Sequence, residues 1–137
     1  MTARRILVVD DDESLRRVTQ VQLAQIGYNV VTAENGNQAL AVLQQTPQDL
    51  VITDLKMPVM SGVDLLKRIR AEYPETIVLM ITAFGTVETV VEAMKAGAYD
   101  YITKPVHPDE LKLVVNRALE HRHLLEEVQI LRSSLDQ

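Results

Sequence analysis

The sequence predicts an open, doubly wound α/β fold built on a parallel sheet, and three observations carry that expectation. Short apolar runs rich in β-branched residues recur at nearly even intervals along the chain. Stretches with helical spacing of apolar residues lie between them. Runs such as Leu50-Val51-Ile52 and Ile77-Val78-Leu79-Met80-Ile81 are apolar on both faces instead of alternating, which is the mark of parallel strands covered by helices on each side.

In chain order, Ile6 to Val9 reads as the first strand, and Leu15, Val18, Val21 and Leu23 mark a helix that stops before Gly27. Val30 to Thr32 is the second strand, followed by Ala39, Leu40, Val42 and Leu43 ahead of Pro47. Leu50 to Thr53 is the third, with Val63, Leu65, Leu66 and Ile69 leading to Pro74. Ile77 to Thr82 is the fourth, with Val87, Val90, Val91 and Met94 leading to Gly97, and Tyr99 to Thr103 is the fifth. Gly27 and Gly97 stand where a helix C-cap favours a left-handed residue. Right-handed crossovers leave few topologies and place any site at the carboxyl ends of the strands.

Beyond Pro108 there is no further Gly or Pro, so one long helix is expected to the end of the chain. Leu111, Val114, Val115 and Ala118 would pack on the sheet. Leu124, Val128, Leu131 and Leu135 then step by 4, 3 and 4, the a/d seam of a coiled coil, although the seam spans less than two heptads. The chain therefore divides into a domain over residues 4–120 and a helical extension over 121–137.

With 137 residues, 47% hydrophobic, and 14 basic against 19 acidic side chains for a net charge of −5, one soluble domain with a substantial core is expected. There is no cysteine, which removes disulfides and thiolate metal sites. The N-terminal apolar run is far too short for a signal peptide or membrane span, so a cytoplasmic protein without a membrane partner is expected. Acidic balance, one Phe and no Trp argue against direct nucleic-acid contact, which depends on cationic surface and base stacking.

The polar residues that interrupt the pattern fall at strand ends. Asp10, Asp11 and Asp12 follow the first strand, Asp54 the third, and Lys104-Pro105 the fifth, while Thr82 closes the fourth. Carboxylates crowded on one rim repel one another, and a divalent cation is the natural neutraliser. An all-oxygen ligand set suits a part-hydrated Mg²⁺, and Mn²⁺ would be accepted by the same ligands. Asp54 projects from the rim as a nucleophile would, with the acidic run supplying the metal. The Thr82 hydroxyl and the Lys104 ammonium would cradle the oxygens of an incoming phosphoryl group.

Val8-Val9-Asp10-Asp11-Asp12, Asp54-Leu55-Lys56-Met57-Pro58-Val59-Met60-Ser61-Gly62, Thr82-Ala83 and Lys104-Pro105 together resemble the receiver domain of two-component response regulators. The resemblance implies a flavodoxin-like, CheY-like sheet of order 2-1-3-4-5 and phosphorylation of Asp54 by a sensor histidine kinase. It implies metal bound by the Asp11 and Asp54 side chains and the Lys56 backbone carbonyl, with Asp10 acting through water, and phosphate bound by Thr82, Ala83 and Lys104. Asp12 is expected to cap the first helix. Tyr101 is expected to turn inward beside Thr82 in a switch, Lys104–Pro105 to be a cis bond that aims the lysine, and Phe84 and Lys56 to gate water. Ala83-Phe84-Gly85-Thr86, Gly97-Ala98-Tyr99-Asp100-Tyr101 and the long terminal helix resemble NtrC-type regulators, in which a receiver is joined to an ATPase that activates transcription. No phosphate-binding GxxxxGK[ST] loop occurs here, so such an output domain would lie beyond residue 137. A homodimer through the terminal helices is expected, built on the Leu124, Val128, Leu131 and Leu135 seam.

Rival readings fare worse. An aspartyl phosphatase or mutase would want a second carboxylate where Lys56 stands, and a nucleotide or flavin site would want glycines where Asp10-Asp11-Asp12-Glu13-Ser14 stands. A scaffold that works without phosphorylation would be favoured only if Asp54 or Lys104 were missing. His107, His121 and His123 read as solvated surface, the last two facing different ways on their helix. The chain is thus expected to be a signalling switch that catalyses only its own phosphorylation and dephosphorylation, not a metabolic enzyme.

Overall fold

The computed structural model describes residues 3–83 and 85–135. Strands and helices alternate as β1 (Arg5–Val9), α1 (Glu13–Ile26), β2 (Asn29–Ala33), α2 (Gly36–Gln45), β3 (Leu50–Asp54), α3 (Gly62–Glu72), β4 (Ile77–Thr82), α4 (Val87–Lys95), β5 (Asp100–Thr103) and α5 (Pro108–Leu135). The five strands are all parallel, in the order β2-β1-β3-β4-β5. Both the doubly wound class and the strand order implied by the receiver resemblance are therefore observed.

Side chains alternate across the sheet and fill two cores. Leu7, Val9, Val51, Val78 and Met80 pack with Leu43 of α2 and Leu65, Leu66 and Ile69 of α3. Ile6, Val8, Leu50, Ile52, Leu79 and Ile81 pack on the other face with Leu23 of α1 and Leu111, Val114, Val115, Ala118 and Leu119 of α5. This two-sided burial is why β3 and β4 are apolar throughout. Helix starts are set locally: Asp12, Asn35, Ser61 and Thr86 each accept an N–H from the first turn of α1, α2, α3 and α4, and Asp12 is the cap that was expected. Gly27 (φ 114°) and Gly97 (φ 107°) take the left-handed conformation after α1 and α4. Lys104–Pro105 is cis.

Two helices lie differently from what their spacing suggests. In α1 only Leu23 is buried, and Leu15, Val18 and Val21 are about half exposed. In α4 only Ala93 is buried, and Val87, Val91 and Met94 face outward. Apolar periodicity identified these helices correctly, but each contacts the sheet along a narrow strip and leaves the rest of its stripe uncovered.

The terminal helix passes position 120 without a break. Its next turns are tied to the amino-terminal edge of the sheet by charge. Arg122 donates from Nε to Asp49 Oδ1 at 2.8 Å, and its guanidinium also reaches the Glu75 carbonyl and lies 3.4 Å from Glu126. Arg4 bridges Asp49 (3.4 Å) and Glu126 (3.2 Å), while Asp49 Oδ2 accepts the Arg5 N–H at 2.9 Å. Leu124 and Leu131 lie on the opposite side of the helix and are exposed, whereas Val128, less exposed, borders the groove that Arg122 and Glu126 line; the Leu135 side chain lies outside the described residues.

Arg122 retains only 13% of its side-chain exposure, so this network differs from an ordinary surface pair. Arg122→Met, which keeps the apolar stem and removes the charge, is expected to lower unfolding free energy by about 1–3 kcal/mol in urea titration. A loss below about 0.5 kcal/mol would mark the clamp as inert surface charge.

Candidate functional site

The register assembles the rim. Val9 pairs with Thr53, which sets Asp10 beside Asp54 one residue on. Asp54 pairs with Ile81 and Thr82 with Thr103, so Lys104 follows next to the end of β4, where its N–H donates to the Thr82 carbonyl at 2.9 Å. Asp54 was expected after β3 but is its last paired residue. The Lys104 ammonium donates to Asp54 Oδ2 and to Asp10 Oδ2, both at 2.9 Å. Asp54 Oδ1 also accepts the Lys56 N–H at 3.3 Å, and Asp10 Oδ1 the Asp12 N–H at 2.9 Å.

One oxygen from each of Asp10, Asp11 and Asp54 lies within 4.8 Å of the others. Asp10 and Asp54 are buried at 7% exposure each, whereas Asp11 is exposed. That combination can hold a metal: two carboxylates hold their positions in the protein, and the third meets solvent where a part-hydrated cation would enter. Burial pushes the Asp10 carboxyl above its ordinary range, and the neighbouring Asp54 charge adds to the rise; the Asp12 N–H and Lys104 pull the other way without cancelling it. Burial alone would lower Lys104, but its bonds to Asp54 and Asp10 outweigh that and raise it, so the lysine stays charged. The rim is a place where further positive charge is favourable, and an all-oxygen donor set fits a hard divalent cation.

Thr82 is fully buried at the end of β4, and Ala83 follows it exposed on the rim. Lys56 is exposed in the loop after β3; Phe84 lies outside the described residues. Tyr101 packs against the core face that holds α2 and α3, and its hydroxyl oxygen is buried with no hydrogen bond of good geometry among the described residues. Burial raises its pKa, although the Thr89 hydroxyl acts in the opposite direction. The ring thus already occupies a tucked-in position. Among the histidines, His107 and His123 are solvated as expected, and exposed His121 lies against the Tyr99 ring at 5.2 Å.

Several supporting residues carried no assigned role in the sequence reading. A Cβ on Gly62 would overlap the Asp54 carbonyl oxygen, so only glycine lets α3 begin this close to the acceptor strand, where its N–H meets the Leu55 carbonyl at 2.7 Å. A Cβ on Gly85 would overlap the Tyr101 hydroxyl. Met60 packs over Gly36, and Val59 beside it takes φ 69°, a strained conformation for a β-branched residue. Arg16 donates to the Asp10 carbonyl at 2.8 Å. A cation one turn inside a helix start, where the dipole disfavours it, was the signal available for Arg16.

Because its folded pKa is raised, Asp10 adds stability only when protonated: the contribution is complete below the unfolded carboxyl value of about 3.9 and is lost as pH rises through the higher folded value. In metal-free buffer, Asp10→Asn is therefore expected to melt above the wild type at pH 7, with the difference shrinking towards pH 4. A lower Tm for the variant across that range would show that the Lys104 bond outweighs the burial cost.

The family described as the response regulator receiver domain matches residues 6–116. The regulatory protein AtoC of Escherichia coli (strain K12) is 40% identical over 136 residues, covering 98% of this chain and 30% of that protein. The transcriptional regulatory protein ZraR of Salmonella typhimurium is 47% identical over 116 residues, 85% of this chain and 26% of that protein. The chain spans less than a third of the length of these curated relatives. Among solved structures, NtrX from Brucella abortus superposes with a TM-score of 0.90 at 39% identity over 96% of this chain and 30% of that one. A CheY-like receiver domain protein from Methanospirillum hungatei JF-1 gives 0.86 at 32% identity, over 89% of this chain and 98% of that one. The acidic rim, the strand order and these matches agree, and the chain belongs to the receiver domains of two-component response regulators, related to the NtrC-type transcriptional regulators.

Proposed function

We propose that Asp54 accepts a phosphoryl group from a phosphohistidine of a sensor histidine kinase and that the resulting acyl phosphate switches the domain. The carrying observation is the Lys104 ammonium held at 2.9 Å from both Asp54 and Asp10, with the Asp11 carboxylate completing an oxygen-lined rim. An Asp54 oxygen attacks phosphorus, the P–N bond to the kinase imidazole breaks, and the departing imidazole takes up a proton. Lys104 exchanges its Asp54 bond for a phosphoryl oxygen, and the Thr82 hydroxyl and the Ala83 N–H serve the others. Bound Mg²⁺, or Mn²⁺, would neutralise charge on the transferring group; Asp11, Asp54 and the Lys56 carbonyl would hold it, with Asp10 acting through water. Hydrolysis of the acyl phosphate resets the switch, and catalysis extends to these two steps only.

The rest of the reading follows from position. Half-exposed Leu15 and Val18 on α1, beside the acidic turn, offer apolar contact to the kinase. Tyr101, tucked beside Gly85, couples the Thr82 loop to the α4–β5 face. In the full protein, working in the cytoplasm, the receiver controls an output domain that regulates transcription. Residues 121–137 start the linker to it and pair with a second copy through Leu124, Val128, Leu131 and Leu135, of which Leu124 and Leu131 lie on the side of α5 opposite the Arg122 clamp. Among the described residues no helix is long and apolar enough to cross a membrane.

Acetyl phosphate with Mg²⁺ is expected to add one phosphoryl group by intact mass, and Asp54→Asn to remain unlabelled; labelling of that variant would take the acceptor role from Asp54. Leu124→Gln combined with Leu131→Gln is expected to halve the mass measured by light scattering while leaving labelling intact. These substitutions test the seam better than truncation at Glu120, which would also delete Arg122. An unchanged mass would show that the seam pairs nothing.

A further inference from the structure

Arg16 reaches the backbone of the acidic turn from outside it. β1 ends at Val9, so the Asp10 carbonyl lies just beyond the last paired residue of the strand. The turn is pinned by Asp10 N–H to Ala33 (3.2 Å), Asp12 N–H to the Asp10 carboxylate (2.9 Å) and Leu15 N–H to the Asp12 carboxylate (3.1 Å). None of these fixes the peptide plane joining Asp10 to Asp11. Arg16 does, donating from its guanidinium to the Asp10 carbonyl at 2.8 Å. Because a peptide unit is planar, holding that oxygen also holds the Asp11 nitrogen, and with it the direction in which the Asp11 carboxylate leaves the chain.

The placement is costly by local rules. Arg16 sits one turn into α1, where the helix dipole favours anions, and Glu13 and Asp12 already satisfy the helix start. Side chains lean back towards the N-terminus of their helix, so this position is the one from which a long side chain reaches the end of β1.

We infer that Arg16 is a positioning residue for the divalent-cation site, holding the Asp10–Asp11 peptide so that the exposed Asp11 carboxylate meets Asp54 and Asp10. The inference rests on the metal-dependent acceptor reading above. Groups that orient metal ligands from behind commonly change metal affinity by about 10- to 100-fold when removed. Charge alone predicts the reverse, since deleting a cation near carboxylates would tighten binding of another cation.

Isothermal titration of unphosphorylated protein with MgCl₂ separates these effects. Arg16→Lys keeps the charge but not the planar fork, and Arg16→Met keeps neither. Both are expected to weaken Mg²⁺ binding about tenfold, while the rate of labelling by acetyl phosphate at saturating Mg²⁺ stays within about twofold of wild type. Wild-type affinity in Arg16→Lys, or tighter binding in Arg16→Met, would overturn the proposal; if Arg16→Met does not fold, Arg16→Lys decides. A wild type that binds no Mg²⁺ would overturn the acceptor reading and this inference with it, whereas wild-type binding with an unaffected Arg16→Lys would overturn this inference alone.

Discussion

The Lys104 ammonium between Asp10 and Asp54 is the constraint on which the rest of the site depends. A parallel sheet in this register cannot avoid setting those two carboxylates side by side, because each follows a paired residue of adjacent strands. Buried like charges at such spacing would be untenable in a low-dielectric rim without a countercharge. One lysine arriving from β5 supplies it, yet three carboxylates against one ammonium still leave the centre negative when all are ionised. That uncompensated charge could be neutralised by a hard cation and, on the proposed function, would let the rim receive a phosphoryl group that brings three oxygens of its own. The same lysine that makes the unliganded fold tolerable would, on the proposed function, follow the new charge.

The opposite edge of the sheet is organised by similar physics for a different end. There Asp49, immediately before β3, gathers Arg4, Arg122 and the Arg5 N–H, and through Arg122 it holds the start of the helical extension. β3 runs from that carboxylate to Asp54, buried at every residue. α5 is packed along one face of the sheet by Leu111, Val114, Val115 and Ala118 and then gripped at its amino-terminal edge, so the helix leaves the domain in a set direction and rotation. Leu124 and Leu131 point away from the body because Arg122 and Glu126 occupy the inward face, while Val128 borders the groove those two residues line.

Much of this was legible in the residues themselves. Parallel strands leave long apolar runs, and polar residues at their carboxyl ends have few reasons to be there other than chemistry, which is why Asp10, Asp11, Asp54, Thr82 and Lys104 stood out. Packing was less legible. Helical spacing located α1 and α4 but could not say that Leu15, Val18, Val87 and Val91 face outward, since an apolar stripe looks the same whether the fold covers it or leaves it free. Long-range partners left no pattern at all: Arg122 and Asp49 are separated by 73 positions, and nothing local links them. Val59 could not have been foreseen in a left-handed conformation, because β-branched residues avoid it.

Tyr101 carries opposing terms on which the proposed switch would act. Its ring is packed, yet its hydroxyl is buried with no hydrogen bond of good geometry among the described residues, so the tucked position gains apolar contact while forfeiting the hydrogen bond that water would provide. The space it uses exists because residue 85 has no side chain. Opposing terms of similar size are what a two-state element requires, since a large bias either way could not be reversed by one phosphoryl group. Thr82 ends the strand paired to β5, and Gly85 lies three residues beyond it. Under the proposed phosphorylation of Asp54, a shift of the Thr82 loop towards the new charge would alter the walls around the Tyr101 hydroxyl, which Gly85 borders.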